Sequence, residues 1–543
     1  MTRDITTLIG RRFDLLVVGG GIHGLFAAYD AAQRGLAVAL VDRADFGSGL
    51  SFNHQRTLHG GLRALQHGDI IKTRQQIRER RMWGRIAPHL IRPLPFLMGT
   101  RGWTTHSRWG VKAGFSVYDW LGRSRNAGVL PEQHLPRGRL ESVATTRRLF
   151  QGVMERGLSG GAVWYDYQAV HPDRLTWTVL LAAQRAGAVL VNYVTFVRPK
   201  KDSSGRVTGA EVRDGLTGEE IGLEAGAILI AAGAGLGEIL AGCGLSGAPP
   251  LVRAMNVLLD RPARDIAVVA ATRGGRMLTA VPWRGFVLVG TDQSSAPVVG
   301  PEAEPPASAV EAFVADLNTA FPALRVDSKD VRLVHHGLTP AVVRGGRTEL
   351  MPDPQIIRHS REGLAGMVSL IGVKYTTARL AAARAVDAVS AEIGRGRQRS
   401  RTDGQTLPYA EIADVEGRLL ETARALGIEL DRDVLEHLQQ WYGTEATALL
   451  DYSAAEGQLA RLTPNAPVIA GEIAYAVDRA QTVRLSDAVL RRTPLGSAGH
   501  PGKDALDRAA DIMSARLGWT APRRAEETAL VEQIYPSFDT KNT

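Results

Sequence analysis

Apolar residues in this chain fall into continuous runs, alternating stretches and segments of helical period, and their order predicts the elements. Residues 15–18 form an apolar run of buried-strand length. Residues 25–34 read as an alanine-rich helix stopped at Gly35, and residues 37–41 as a second buried strand. A glycine-rich loop over 45–65 follows, then a helix over 70–86 that Pro88 ends. Helical period returns over 172–187. It leads into strands at 188–197, 207–213 and 219–223, divided by the turn signals SSG and GLTGE as in an antiparallel meander, and then a buried strand at 227–231. Residues 249–345 carry four strand patterns, LVRAMNVLLD, RMLTAVPW, GFVLVGTD and VRLVHHGL, which predict a separate antiparallel sheet. A strand over 367–371 ends in Gly372 and precedes a helix over 375–393. Residues 394–404, polar and basic, read as a linker. Beyond them the pattern is helical at 414–426, 433–441, 468–481, 485–491 and 504–517, with no repeat at a solenoid period.

The length, 543 residues, suits two to four domains, and 44% hydrophobic with 22% charged residues is ordinary globular composition. Charge adds more. Lysine and arginine number 65 against 56 acids, a surplus of nine, so the surface should attract anionic substrates, anionic lipid headgroups or nucleic acid. No helix-turn-helix, zinc-finger or ribonucleoprotein motif is present, so a nucleic-acid partner is not expected. Cys243 is the sole cysteine, which excludes an intramolecular disulfide framework, a cysteine-rich metal site and a dithiol couple; no metal site is expected. The N-terminal MTRDITTLIGRR lacks a signal-peptide core, and no apolar run approaches the ~20 residues of a membrane span. The expected location is therefore cytoplasmic, with peripheral attachment to the inner face of a membrane left open. Residues 88–125 mix proline with Arg92, Trp103, Arg108, Trp109, Lys112, Phe115, Tyr118 and Trp120. That mixture fits either an interfacial membrane surface or the basic wall of a substrate domain.

The chemistry-bearing stretch is FDLLVVGGGIHGLFAAYDAAQRGLAVALVD, residues 13–42. Gly19, Gly21 and Gly24 have G-x-G-x-x-G spacing between a strand and a helix, and Asp42 closes the next strand. In that context Gly19 permits the tight turn, Gly21 admits a pyrophosphate against the backbone, and Gly24 lets helix and strand pack closely. The helix N-terminus offers unpaired N–H groups to the phosphates, and Asp42 can accept from a ribose hydroxyl. Dinucleotide binding follows. The turn 232–235 and Gly372 each follow a strand and bring backbone to the same ligand a second and third time.

With GGGIHG go DFGSG, LHGGLR at 58–63, RIAPHLIRPLPFL at 85–97, VRDGLTGEE at 212–220, AAGAG at 231–235, GVKYTTAR at 372–379 and a long tail motif over 466–496. In these the chain resembles the FAD-dependent glycerol-3-phosphate dehydrogenase family, within the D-amino-acid-oxidase-like flavoproteins, over nearly its whole length. The resemblance implies an α/β fold: a Rossmann-like FAD-binding domain (12–87, 166–245 and 351–396), an interleaved antiparallel-sheet substrate domain (88–165 and 246–350), and a C-terminal α-helical domain (405–535). It implies noncovalent FAD held by Gly19, Gly21, Gly24, Asp42, Ser48, His59, Gly60, Gly235, Gly372, Lys374 and Thr376. It further implies oxidation of a secondary alcohol, glycerol 3-phosphate or a related polyol or polyol phosphate, to a ketone by hydride transfer to flavin N5. The resemblance implies electron transfer to a quinone or another acceptor at the membrane; a membrane surface and a homodimer are left open as further partners.

Departures concentrate in the substrate site. Arg63, Arg358 and Lys374 match family positions and are candidate catalytic residues. Thr339 stands where the family has a phosphate-binding arginine, Asn256 where it has a candidate base, and Ala64 where it has a tyrosine. A threonine hydroxyl replaces a bidentate guanidinium poorly, so glycerol 3-phosphate is expected to be a poor substrate beside a larger polyhydroxylated or anionic alcohol. His335, His336 or His54 could supply the base. The alternatives are the same chemistry on a sugar alcohol, hydroxy acid or sugar-containing metabolite, or a non-catalytic flavin-binding electron-transfer protein.

Overall fold

The computed structural model describes residues 2–102, 107–150, 157–298, 304–411, 414–464 and 466–536. At its centre β1 (Arg12–Val18) lies between β2 (Val38–Val41) and β10 (Glu220–Ile230), parallel to both. The parallel set extends to β7 (Val189–Val191) on one side and β18 (Met367–Ile371) on the other, with β17 (Gln355–Arg358) antiparallel at that edge. An antiparallel ribbon, β8 (Val194–Lys201) and β9 (Val207–Asp214), hangs from the first half of β10. Helix α1 (Ile22–Gln33), with Pro172–Arg185 and Ala378–Glu392, covers one face of this sheet.

The second sheet takes strands from two distant stretches. It runs β16 (Arg347–Leu350), β15 (Val331–Arg344), β11 (Leu251–Leu259), β14 (Phe286–Gln293), β13 (Met277–Trp283), β12 (Ala267–Ala271), β4 (Ile91–Arg101), β6 (Leu158–Ala169) and β3 (Thr57–Leu58), with β5 (Arg139–Glu141) beside β6. One face packs on the helix Ala307–Ala320. Near Leu258, Leu288 and Leu333 the other face packs on the C-terminal helices.

The structure amends the sequence reading in ways that have physical causes. Helix α1 starts at Ile22, so Gly24 lies inside it; glycine is a poor helix former and hid that first turn. The stretch 188–197 is two strands, parted at Tyr193, whose φ of +55° no apolar pattern announces. The two strands read at 219–223 and 227–231 are one. The first half of β10 alternates because only one side is covered, and the second half is wholly buried between β1 and β18. The sheet expected over 249–345 is not separate: β12 joins β4 in parallel, and β6 runs through the boundary placed at 165/166. The loop 45–65 contains β3 and the short α2 (Leu62–Gln66), followed by α3 (Ile70–Ile86) as read. Within 88–125 lie β4 and α4 (Arg108–Leu121); Trp103 falls outside the described residues. The tail has two further helices, Ala446–Ala455 and Ala521–Glu532, and its segment at 485–491 is a helical turn running into a π-helix.

Candidate active site

The turn after β1 is closed by contacts that only glycine allows. A Cβ on Gly19 (φ +110°) would lie 2.6 Å from Ala231 O at the end of β10, and one on Gly24 would lie 1.8 Å from Gly19 O. Gly20, not singled out from the sequence, faces Phe46 at 2.5 Å in the same construction and donates its N–H to Asp42 Oδ2 at 2.5 Å. Gly21 is open: beyond its chain neighbours, Ser51 Oγ at 3.3 Å is the sole heavy atom of the described residues within 4 Å of an added Cβ. This is the cradle that a pyrophosphate fits. Burial pushes the Asp42 carboxyl up to about 6, against hydrogen bonds from the Ala44 and Gly20 N–H groups. Ser51 rather than Ser48 reaches the helix terminus, where its Oγ accepts from Ile22 N–H at 2.9 Å. Gly235, in the turn after β10, lies beside the Arg43 guanidinium.

A second cluster builds around His59 and Gly60. Both stand on Asp166 of β6: His59 Nδ1 is 3.1 Å from Oδ2, and Gly60 N–H donates to Oδ1 at 2.8 Å. Arg80 of α3 pairs with the same carboxylate and donates to Tyr118 Oη at 3.1 Å; Tyr118 donates in turn to Gly60 O at 3.0 Å. Burial pushes the Asp166 carboxyl up, but Arg80 and the His59 hydrogen bond outweigh it and hold it below its ordinary value. No room remains for a side chain at Gly60, whose Cβ would lie 2.2 Å from Arg80 and Tyr118. His59 N–H donates to Thr376 Oγ1 at 3.1 Å, and Trp83 Nε1 donates to Thr376 O at 3.1 Å, so the 372–376 turn is fastened to this cluster.

That turn also meets two half-buried histidines. A Cβ on Gly372 would lie 2.4 Å from the His23 ring, and His54 stacks on Tyr375 with centroids 4.5 Å apart. His23 Nε2 and His54 Nε2 have no hydrogen-bond partner among the described residues. Burial lowers His23 to about 4 and, with Arg56, lowers His54 well below the usual imidazole range, so both rings are neutral at pH 7. His54 Nδ1 accepts from Arg56 N–H at 3.0 Å, which puts the ring proton on Nε2. Two unpartnered buried polar atoms, one against Gly372 and one against Tyr375, with the glycine cradle at Gly19–Gly24, fit a flavin dinucleotide.

The candidate catalytic residues separate. Arg63 and Lys374 come together with Lys72 at the rim of this turn, where Lys72 pairs with Asp353 at 2.7 Å. Partial desolvation and then the like charge of Lys72 lower the Lys374 ammonium, with Asp353 opposing and Arg63 adding to the effect. Arg358 does not join them. It sits opposite Val368 and its Nε donates to Glu392 Oε1 at 2.5 Å, at the far end of the helix that leaves the turn. Fourteen residues of helix rise put that pair about 20 Å from the turn. His335 and His336 part as strand neighbours must. His335 faces with Asn256, its cross-strand neighbour, while His336 pairs with Met255 on the face turned to Ala307–Ala320. His335 is buried, with Nδ1 3.2 Å from Asn53 Oδ1 and Nε2 3.3 Å from Arg56 Nη2. Both ring nitrogens are thereby engaged. Gly20, Ser51, Lys72, Arg80 and Asp166 were missed because their partners lie elsewhere in the chain; Gly20 alone carried a local signal, as the middle of three consecutive glycines.

Comparison with known proteins agrees with this geometry. Residues 14–388 match the family model described as FAD dependent oxidoreductase, and residues 377–524 match the C-terminal domain of alpha-glycerophosphate oxidase. Glycerol-3-phosphate dehydrogenase of Synechocystis sp. is 30% identical over 95% of both chains. Aerobic glycerol-3-phosphate dehydrogenase of Staphylococcus aureus is 27% identical over 96% of this chain and 94% of its own. Among solved structures, glycerol-3-phosphate dehydrogenase of Bacillus halodurans complexed with FAD superposes with a TM-score of 0.76 at 22% identity, covering 97% of this chain and 95% of that one. The chain belongs to the FAD-dependent oxidoreductase family, in the branch that carries the alpha-glycerophosphate oxidase C-terminal domain.

Proposed function

We propose that the protein oxidises the secondary alcohol of glycerol 3-phosphate, or of a closely related polyol phosphate, to the ketone. The observation that carries this is the rim of the 372–376 turn, where Arg63, Lys72 and Lys374 stand against one carboxylate, Asp353. Such a rim draws and orients a phosphate monoester. Lys72 supplies a cation that the sequence reading did not count, which offsets the arginine missing at Thr339. The alternative substrates raised from the sequence find no support in the named relatives. Bound FAD supplies the hydride acceptor. The chain's own part is to hold the alcohol and take its proton. His59 suits that task. Its Nδ1–H is held by Asp166, which leaves Nε2 as the acceptor on a side chain that is 54% exposed.

Anaerobic mixing with glycerol 3-phosphate should bleach the bound flavin, whereas glycerol at equal concentration should not; bleaching by glycerol alone would overturn the role given to the cationic rim. His59→Asn should keep FAD and lose kcat by about 10²-fold or more.

We also place α4 on a membrane surface, where electrons would leave to a quinone or another acceptor. Trp109 (74% exposed), Val117 (44%) and Trp120 (64%) share its outer face with Lys112. Aromatic rings beside a cation suit the headgroup region. Among the described residues no helix is long and apolar enough to cross a membrane.

A further inference from the structure

A cavity among the described residues lies away from the dinucleotide turn. It has a volume of about 940 Å³, the size of a small-molecule site. Its walls are α3, the end of α4, the helix Ala378–Glu392 and the segment 397–403, with Arg34 of the α1 end. Eight arginines line it against three carboxylates, a surplus of five charges and more than half of the chain's net +9. The acids are already committed: Asp403 to Arg78 at 3.0 Å, Asp387 to Arg34 and to Arg397 at 3.1 Å, and Glu79 to Arg379 at 2.6 Å. Arg74, Arg384 and Arg399 are exposed and pair with no described residue. Partial burial and then the like charges of Arg85 and Arg78 lower Arg81, with Asp403 opposing, so cations outnumber acids along the wall. Ile77, Leu121, Leu380 and Ala383 give it an apolar floor.

We propose that this cleft is a binding site for a ligand with two or more phosphate charges, held by guanidinium forks over an apolar floor. Guanidinium groups match phosphate oxygens two at a time, and several unpaired forks in one concavity favour a multiply charged anion over a carboxylate. Two sources offer that chemistry: adjacent headgroups of an anionic bilayer, and a soluble polyphosphate. The bilayer is within reach, because Leu121 and Ser124 in the wall continue directly from the exposed face of α4. The proposal does not depend on the oxidation assigned above, and Trp109→Ala with Trp120→Ala tests α4 separately.

The holoenzyme is titrated with inorganic tripolyphosphate by calorimetry, and floated with phosphatidylglycerol or phosphatidylcholine vesicles, at low and high salt. Arg384→Gln with Arg399→Gln is compared with the wild type; both side chains are exposed, so folding should be unaffected. Loss of phosphatidylglycerol binding by tenfold or more in the double variant assigns the site to a bilayer headgroup. The same loss for tripolyphosphate alone assigns it to a soluble ligand. In either case binding should weaken as salt rises. Absence of binding to both probes at low salt, or equal binding by wild type and double variant, overturns the proposal. The double tryptophan variant should keep tripolyphosphate binding, which separates failure of the cleft from failure of α4 at the membrane.

Discussion

Gly21 and Gly24 stand three positions apart and serve different purposes. At Gly24 an added methyl collides with backbone, Gly19 O, which cannot step aside. At Gly21 (φ −73°) it meets a serine hydroxyl and otherwise open space. Gly24→Ala should therefore unfold at lower temperature even without cofactor, by about 2 kcal/mol or more. Gly21→Ala should keep the stability of the cofactor-free chain within about 0.5 kcal/mol and lose FAD affinity. Thermal melts with and without FAD read both; equal behaviour of the two variants would show that the cradle is assigned to the wrong glycine. The cations divide in the same manner. Lys374→Ala should raise KM for a phosphate ester by tenfold or more, and Arg358→Ala, about 20 Å away on Glu392, should leave it within twofold. The fingerprint glycines and Asp42 were legible because their spacing is local. Arg358 was not, because a motif match cannot tell which end of a strand a residue occupies.

At the scale of elements, β10 and α4 show what patterning records and what it omits. The half of β10 with one covered face alternates and the half with two covered faces does not, so one strand presents two signatures and was read as two. In α4 the inward positions Val111, Phe115 and Tyr118 repeat at helical spacing while two tryptophans lie outside. An aromatic stretch read without its faces could be wall or surface; the exposure decides it. Trp109→Ala with Trp120→Ala should lower recovery on anionic vesicles at least severalfold while leaving turnover with a soluble electron acceptor unchanged. Unchanged flotation would remove α4 from the membrane.

Across the whole molecule, charge holds the parts together. Asp45, at the start of the loop that follows the dinucleotide acid, is fully buried and takes Arg491 Nε at 2.6 Å and Arg492 Nη2 at 2.6 Å from the C-terminal domain. Arg491 also pairs with Asp487 at 2.6 Å, which accepts from Tyr193 Oη at 2.7 Å. Asp45→Asn would take the buried carboxylate from Arg492 and leave Arg491 with Asp487 alone, and should cost about 3 kcal/mol. Acid should loosen the molecule as well. Burial lowers His23 to about 4 and, with Arg174, lowers His89 to about 3. The unfolded chain takes these protons near 6.5 and the folded chain resists them, so stability is present above that value and falls as pH drops toward 4 and then 3. Asp42, raised to about 6, acts in the opposite sense over a narrower span. Melting temperature should decline from pH 6.5 downward, and His89→Phe should flatten the decline; an unchanged slope would show that His89 is not its source. The two-sheet plan with a helical tail could be read from the sequence, but not these contacts, which join residues hundreds of positions apart.

The link between Asp45 and Arg491 spans 446 positions, and it bears on the order of events as the chain is made. The glycine turn and its first helix leave the ribosome early and need only neighbouring strands to form. The loop that begins at Asp45 does not reach its final course until the last helices have been synthesised and have docked, since its buried carboxylate has no other described cation. Cofactor capture should therefore be a late step, after release of the whole chain, and nascent chains stalled before residue 480 should emerge without flavin however long they wait with it.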